Sequence, residues 1–205
     1  MNWDNSIKGF NSYLLLEKHL SQNSIEAYTR DVKQLCDYSQ KHFNIISPVN
    51  IDQNILVEFI AFLYSNKINE RSQARIISGI RSFFKYLMLE GVIKENPGNH
   101  LESPKLSRKL PVFLSVAEID QIIGAIDLSK PEGIRNKTIL ETLYSCGLRV
   151  SELIGLKMTE IYWNEQFIKV RGKGNKERLI PLGKGTIKYI MEYRKQYRDH
   201  LKIAS

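Results

Sequence analysis

The helical periodicity of the first part of the chain stops at a basic segment punctuated by Pro97, Gly98, Pro104 and Pro111, with Lys105, Arg108 and Lys109 among them. Proline has no backbone N–H and biases the residue before it away from helical geometry, so no helix runs through such a stretch. The segment 96–111 therefore reads as an extended linker. It divides the 205 residues into a domain at 1–95 and another at 112–205.

Four apolar stripes with a 3.6-residue period precede the break. Ile7, Phe10 and Leu14, with Leu15 beside them, mark a first helix; Ile25, Tyr28, Val32 and Leu35 mark a second, capped by Ser21 or Ser24. A third covers 52–64 with Ile55, Leu56, Phe59, Ile60 and Leu63. A fourth covers 70–89 with Ile76, Ile77, Ile80, Phe83, Phe84 and Leu87. Each stripe has to be buried against another, which predicts a small bundle. The opposite face of the fourth helix carries Arg71, Arg75, Arg81 and Lys85. Two readings of that face stay open: a solvated helix surface, or a helix laid along a DNA groove with its cations on phosphates.

After the break, Ser115 and Glu118 have capping-box spacing ahead of Ile119, Ile122, Ile123 and Ile126, so a helix starts there. A second, from Glu132 to about Ser145, ends at Gly147, and a short third carries Val150, Leu153 and Ile154. Three β-rich segments follow, at 161–163, 167–170 and 178–181, with a hairpin tip at Gly172-Lys173-Gly174-Asn175-Lys176. A last helix runs over 186–201. The fold class is mainly α with a small antiparallel β-sheet.

Composition excludes several classes. With 42% hydrophobic and 25% charged residues the chain is neither disordered nor fibrous, and no window approaches the length of a membrane span. A cytoplasmic protein is expected. Cys36 and Cys146 stand apart without a CxxC pattern and read as small buried apolar residues. His19, His42, His100 and His200 have no metal-ligand spacing, and the Gly-Lys-Gly runs do not complete a P-loop, so neither a metal nor a cofactor is expected. The charge is uneven. Residues 1–106 hold 12 Lys and Arg against 11 Asp and Glu, whereas 107–205 hold 18 against 11. The basic excess sits in the second half, which fits a polyanionic partner.

Two short motifs carry the chemistry: Gly147-Leu148-Arg149-Val150-Ser151-Glu152-Leu153 and Gly172-Lys173-Gly174-Asn175-Lys176-Glu177-Arg178. Singly they are an arginine at a helix start and a polar turn. In this order and spacing the chain resembles the tyrosine site-specific recombinases of the phage integrase family, specifically the bacterial Xer branch. Ser24 to Asp31, Ser103-Pro104-Lys105-Leu106, Leu110-Pro111 leading to Leu114-Ser115, and Gly183 extend the resemblance over most of the chain. It implies a SAM-like core-binding bundle followed by the N-terminal part of a catalytic domain, the two clamping double-stranded DNA. Arg71, Arg75, Arg81, Lys85, Lys176 and Arg178 are then expected as DNA contacts.

The resemblance also implies a reaction: a tyrosine attacks a phosphodiester, forms a 3′-phosphotyrosyl bond, and a 5′-hydroxyl reverses the step. Arg149 would stabilise the transition-state oxygens, because a guanidinium stays protonated and donates two parallel hydrogen bonds. Lys173 would protonate the departing 5′-oxygen as general acid. Glu152, one turn after Arg149, would orient it; a helix-surface carboxylate is the competing reading. The family further requires a later His-x-x-Arg pair, a His or Trp, and the nucleophilic tyrosine, and none of these occurs here. Tyr189, Tyr193 and Tyr197 fall where the family places structure.

The expectation is therefore a recombinase truncated at its C-terminus, binding DNA without cleaving it alone. The alternatives are a non-enzymatic DNA-binding module or antagonist of a full-length recombinase, and a helical interaction adaptor. By resemblance the process is chromosome dimer resolution, linked to chromosome partition and cell division. Its partners would be a second recombinase and a septal DNA translocase, and the family's tetramer is not expected of this chain. Apolar surface should be exposed within 107–205.

Overall fold

The computed structural model describes residues 2–106, 110–172, 174 and 176–198. The chain divides into two compact units, Met1–Lys109 and Leu110–Ser205. It is mainly helical, with one small antiparallel sheet. No described helix is long and apolar enough to cross a membrane.

The first unit holds α1 (Trp3–Leu16), α2 (Gln22–Phe43), α3 (Gln53–Ser65) and α4 (Glu70–Leu89). The starts of α1, α3 and α4 are set by side-chain caps: Asn2, Asp52 and Asn69 accept hydrogen bonds from the N–H groups of Asn5, Ile55 and Ser72. Asn44 ends α2 in the left-handed conformation, φ 55°. The four stripes meet in one core, in which Phe10, Leu14, Leu35, Leu56, Phe59, Leu63, Ile77, Ile80, Phe83, Phe84 and Leu87 are wholly buried. Phe10 stands edge-on to Phe83 with ring centroids 5.3 Å apart. Leu15 departs from the expected stripe and is exposed. It lies one residue past Leu14, about 100° around the helix from the buried line.

The segment expected as a linker is not uniform. Asn96 is buried, donates to the Arg81 carbonyl at 3.1 Å and accepts from the Gly98 N–H at 2.8 Å. The Arg81 guanidinium donates to the carbonyls of Gly98 and Leu101, and the Leu101 side chain enters the core of the first unit. The stretch 96–101 is thus part of that unit, whereas Leu110, Val112 and Phe113 are strongly exposed.

The second unit holds α5 (Val116–Gly124), α6 (Pro131–Cys146), α7 (Val150–Ile154), β1 (Ile161–Tyr162), β2 (Phe167–Arg171), β3 (Glu177–Pro181) and α8 (Lys184–Gln196). Ser115 and Glu118 make the expected capping box. Pro131 begins α6, where its missing N–H costs nothing, and Gly147 ends it at φ 56°. The strands form an antiparallel sheet in the order β1-β2-β3, with Ile168 opposite Ile180 and Arg171 opposite Glu177. Ile168 and Val170 point inward with Cys146, Leu148, Ile161, Leu182 and Ile190 to make a second, smaller core. The hydroxyl of Thr138 on α6 donates to the Tyr189 carbonyl on α8 at 3.3 Å. Val150, Ile154, Leu179 and Met191 remain exposed. Both cysteines are free and buried, and burial pushes the Cys36 thiol up to about 11.

Two glycines separate close approach from mere flexibility. A Cβ on Gly133 would sit 1.8 Å from the Asp127 carbonyl oxygen, a backbone atom that cannot step aside. Nothing lies within 4 Å of a Cβ on Gly185 in the first turn of α8. Gly133→Ala is therefore expected to destabilise the second unit by about 1–3 kcal/mol or more. Gly185→Ala is expected to stabilise it by about 0.4–1 kcal/mol. Urea melts of the two variants check the opposite signs.

Candidate functional site

Arg149 and Glu152 are brought together by the turn between α6 and α7. Gly147 reverses the chain, Arg149 is extended at the start of α7 (φ −75°, ψ 150°), and Glu152 at the third helical position reaches back to the Arg149 N–H at 2.8 Å. The same carboxylate accepts from Arg149 Nη1 at 2.8 Å through Oε1. Arg178, on β3, then closes on it with both terminal nitrogens, Nη1 to Oε1 at 2.6 Å and Nη2 to Oε2 at 2.8 Å. The Glu152 side chain is only 3% exposed, whereas that of Arg149 is 67% exposed. One nearly buried carboxylate thus serves two guanidiniums, one of which faces solvent.

The electrostatics follow from those contacts. The Arg178 hydrogen bonds, followed by the Arg149 N–H, hold the Glu152 carboxyl down at about 2, against the opposing effect of burial. Arg178 is raised in turn by the same bonds. Gly172 lies directly over this pair: a Cβ there would meet both Arg178 Nη1 and Glu152 Oε1 at 3.2 Å. Its N–H donates to the Lys176 carbonyl at 2.8 Å, closing the base of the turn. Below the turn, Glu177 pairs with Arg171 at 2.9 Å and Lys169 at 3.5 Å. Lys173 falls outside the described residues. Lys176 is exposed.

The cations expected on DNA do not stand alike. Arg71 and Lys85 are exposed on α4. Arg75 bonds both carboxylate oxygens of Asp31 on α2, with its side chain still 40% exposed. Arg81 is taken up by the carbonyls of Gly98 and Leu101, and Arg178 by Glu152. The forked guanidiniums of Arg81 and Arg178 thus already have protein acceptors at two nitrogens each. Sequence reasoning missed the function of Gly172, Asp31 and Asn96. The first opens the Gly-Lys-Gly run and reads as flexibility, while the others are ordinary polar residues until their partners are known.

A carboxylate that anchors a half-free guanidinium beside a glycine-tipped hairpin defines a site suited to an anionic oxygen. The comparisons give it a family. Residues 7–91 match the N-terminal SAM-like domain of phage integrases, and residues 112–203 match the phage integrase family. The chain is 38% identical over 196 residues to tyrosine recombinase XerD of Listeria innocua, covering 96% of this chain and 66% of that one. It is 34% identical to XerD of Halalkalibacterium halodurans, covering 98% and 70%. The chain belongs to the phage integrase family, among the tyrosine recombinases. It spans about two thirds of the length of the curated relatives it matches. Its fold is similar to that of a lambda integrase dimer bound to a COC′ core site (TM-score 0.72, 18% identity, covering 95% of this chain and 70% of that one). It is also similar to XerH recombinase in a post-cleavage complex with a palindromic difH substrate (TM-score 0.68, 21% identity, 88% and 54%).

Glu152 carries a sign-defined pH prediction. Its folded pKa lies below the ordinary carboxyl value of about 4.3, so its contribution to stability is complete above that value and is lost as pH falls to about 2. Thermal melts between neutral pH and the acid limb should show Glu152→Gln less stable than the parent at neutral pH and converging with it at the acid end. Gly172→Ala should shift in the same direction, since its Cβ intrudes on the same bonds.

Proposed function

We propose that this chain provides the DNA binding and phosphate positioning of a site-specific recombinase of the Xer type, whose reaction on double-stranded DNA in the cytoplasm is phosphoryl transfer. The observation that carries the reading is the exposed Arg149 guanidinium, oriented by a nearly buried Glu152 in a family whose reaction gathers charge on phosphate oxygens. Arg149 donates to the non-bridging oxygens of the scissile phosphate, where a fixed cation is worth most as the transition state forms. Lys173 supplies the proton to the leaving 5′-oxygen. Glu152 holds Arg149 at the start of α7 and touches no substrate.

Arg71, Arg75, Lys85 and Lys176 neutralise backbone phosphates and set the position of the protein on the duplex. By the family resemblance, the process we propose is chromosome dimer resolution, with a second recombinase and a septal DNA translocase as partners. The 205 residues contain no His-x-x-Arg pair, so by themselves they hold DNA without joining to it covalently. Groups that act jointly on one transition state lose most of their effect when some are missing.

Retention of a mixed-sequence duplex should fall steeply with salt. If six cations (Arg71, Arg75, Lys85, Arg149, Lys173 and Lys176) each release a counterion, log K against log salt has a slope of about −5. Arg149→Gln and Arg71→Gln should each flatten it by about 0.9. A slope near zero refutes DNA binding. A covalent adduct formed by these residues alone on a nicked suicide substrate refutes the assignment of roles.

A further inference from the structure

The contacts around Glu152 contain an imbalance that the roles above leave unused. Its two oxygens offer about four acceptor positions, and the described neighbours fill them: Arg149 N, Arg149 Nη1, Arg178 Nη1 and Arg178 Nη2. Two of the four come from Arg178. When Arg149 turns its guanidinium to a phosphate, the carboxylate therefore keeps a bidentate partner and one backbone N–H. Without Arg178 it would keep the backbone N–H alone. Under the two arginines its side chain is 3% exposed, so a replacement of Arg178 that keeps the cover but not the donors leaves those lone pairs unpaired.

Resting on the reading that Arg149 binds a phosphate, we propose that Arg178 is a positioning residue that sets the charge balance of the site. By satisfying Glu152 it frees Arg149 to bind an anion. The local charge is two guanidiniums against one carboxylate, leaving one positive charge unmatched, and the exposed member of the pair presents it. Arg178, at 39% side-chain exposure, is committed to Glu152 and contacts no phosphate. Gly172 makes the arrangement possible, because the absence of a Cβ lets the chain entering the turn lie against the pair at 3.2 Å. Remove Arg178 and the remaining Glu152–Arg149 pair is neutral and closed on itself, and the site loses its anion affinity although Arg149 is intact.

The experiment measures binding of the same mixed-sequence duplex across a salt series, with a melting curve for every variant. Arg149→Gln is the reference. If it leaves the slope unchanged, the phosphate-binding role of Arg149 fails and the proposal falls with it. Given that Arg149→Gln flattens the slope by about 0.9, Arg178→Met is expected to flatten it equally and Arg178→Lys to retain most of it. The deciding variant is Glu152→Gln with Arg178→Met, which removes the carboxylate that would trap Arg149 and is expected to restore the parental slope. Glu192→Gln with Arg178→Met has the same net charge, alters an exposed carboxylate on α8, and is expected to restore nothing.

An unchanged slope in Arg178→Met overturns the proposal while leaving the role of Arg149 standing. Failure of the Glu152→Gln partner change to restore binding, in a variant that still melts cooperatively, shows that Arg178 touches phosphate itself or only supports the fold. Equal restoration by both double variants shows that net charge alone matters. Either result refutes the proposal.

Discussion

A carboxylate taken out of water is costly unless its lone pairs are filled, and Glu152 has them filled from two places far apart in the chain: the start of α7 and strand β3. That requirement ties the second unit together. It fixes Arg149 at the mouth of α7, draws β3 against that helix, and leaves no room for a side chain at Gly172. The sheet answers the same requirement through its register: Arg178 stands opposite buried Val170 and so shares the inward face with it, while Arg171 and Glu177 pair on the other, exposed face. Chemistry and packing meet in one ion cluster.

The two units solve different problems. The first buries a continuous aromatic and aliphatic core from four helices, and its stability follows from apolar area. The second has a smaller core and depends more on specific polar contacts: the Ser115–Glu118 cap, the Thr138–Tyr189 bond, and the Glu152 cluster. A unit of that kind responds to single substitutions at its polar contacts, whereas the first is damaged chiefly through its core.

Most of the helical architecture was legible because its signals are local. Apolar spacing, the Ser115–Glu118 pair and Gly147 each act within a few residues, and α4 occupies the range its stripe predicts. The motif pair around Arg149 and Lys173 made the family legible as well. The fate of the arginines was not. Arg75, Arg81 and Arg178 carry the same charge in the sequence as Arg71, yet each meets acceptors between 17 and 48 residues away. No periodicity encodes such a meeting. Gly172 was illegible for a related reason: what matters there is the distance to a pair contributed by two other segments, not its own backbone angle.

The Asp31–Arg75 pair has an energetic consequence of its own. Burial raises the Asp31 carboxyl above its ordinary value even though Arg75 and Arg30 pull it down, so the folded protein binds that proton more tightly than the unfolded chain does. A raised acid contributes stability only below its unfolded pKa and loses it as pH rises through the folded one, so ionising Asp31 is harder in the folded protein than in the unfolded chain. What the pair secures is direction. Asp31 on α2 and Arg75 on α4, with Gly79 letting the helices close to within 3.1 Å of a would-be Cβ, allow one azimuth of α4 and therefore one outlook for Arg71 and Lys85. The pair thus fixes the same azimuth as the buried face of Ile77, Ile80, Phe83, Phe84 and Leu87, so that polar and apolar contacts agree on which way the cations of α4 point.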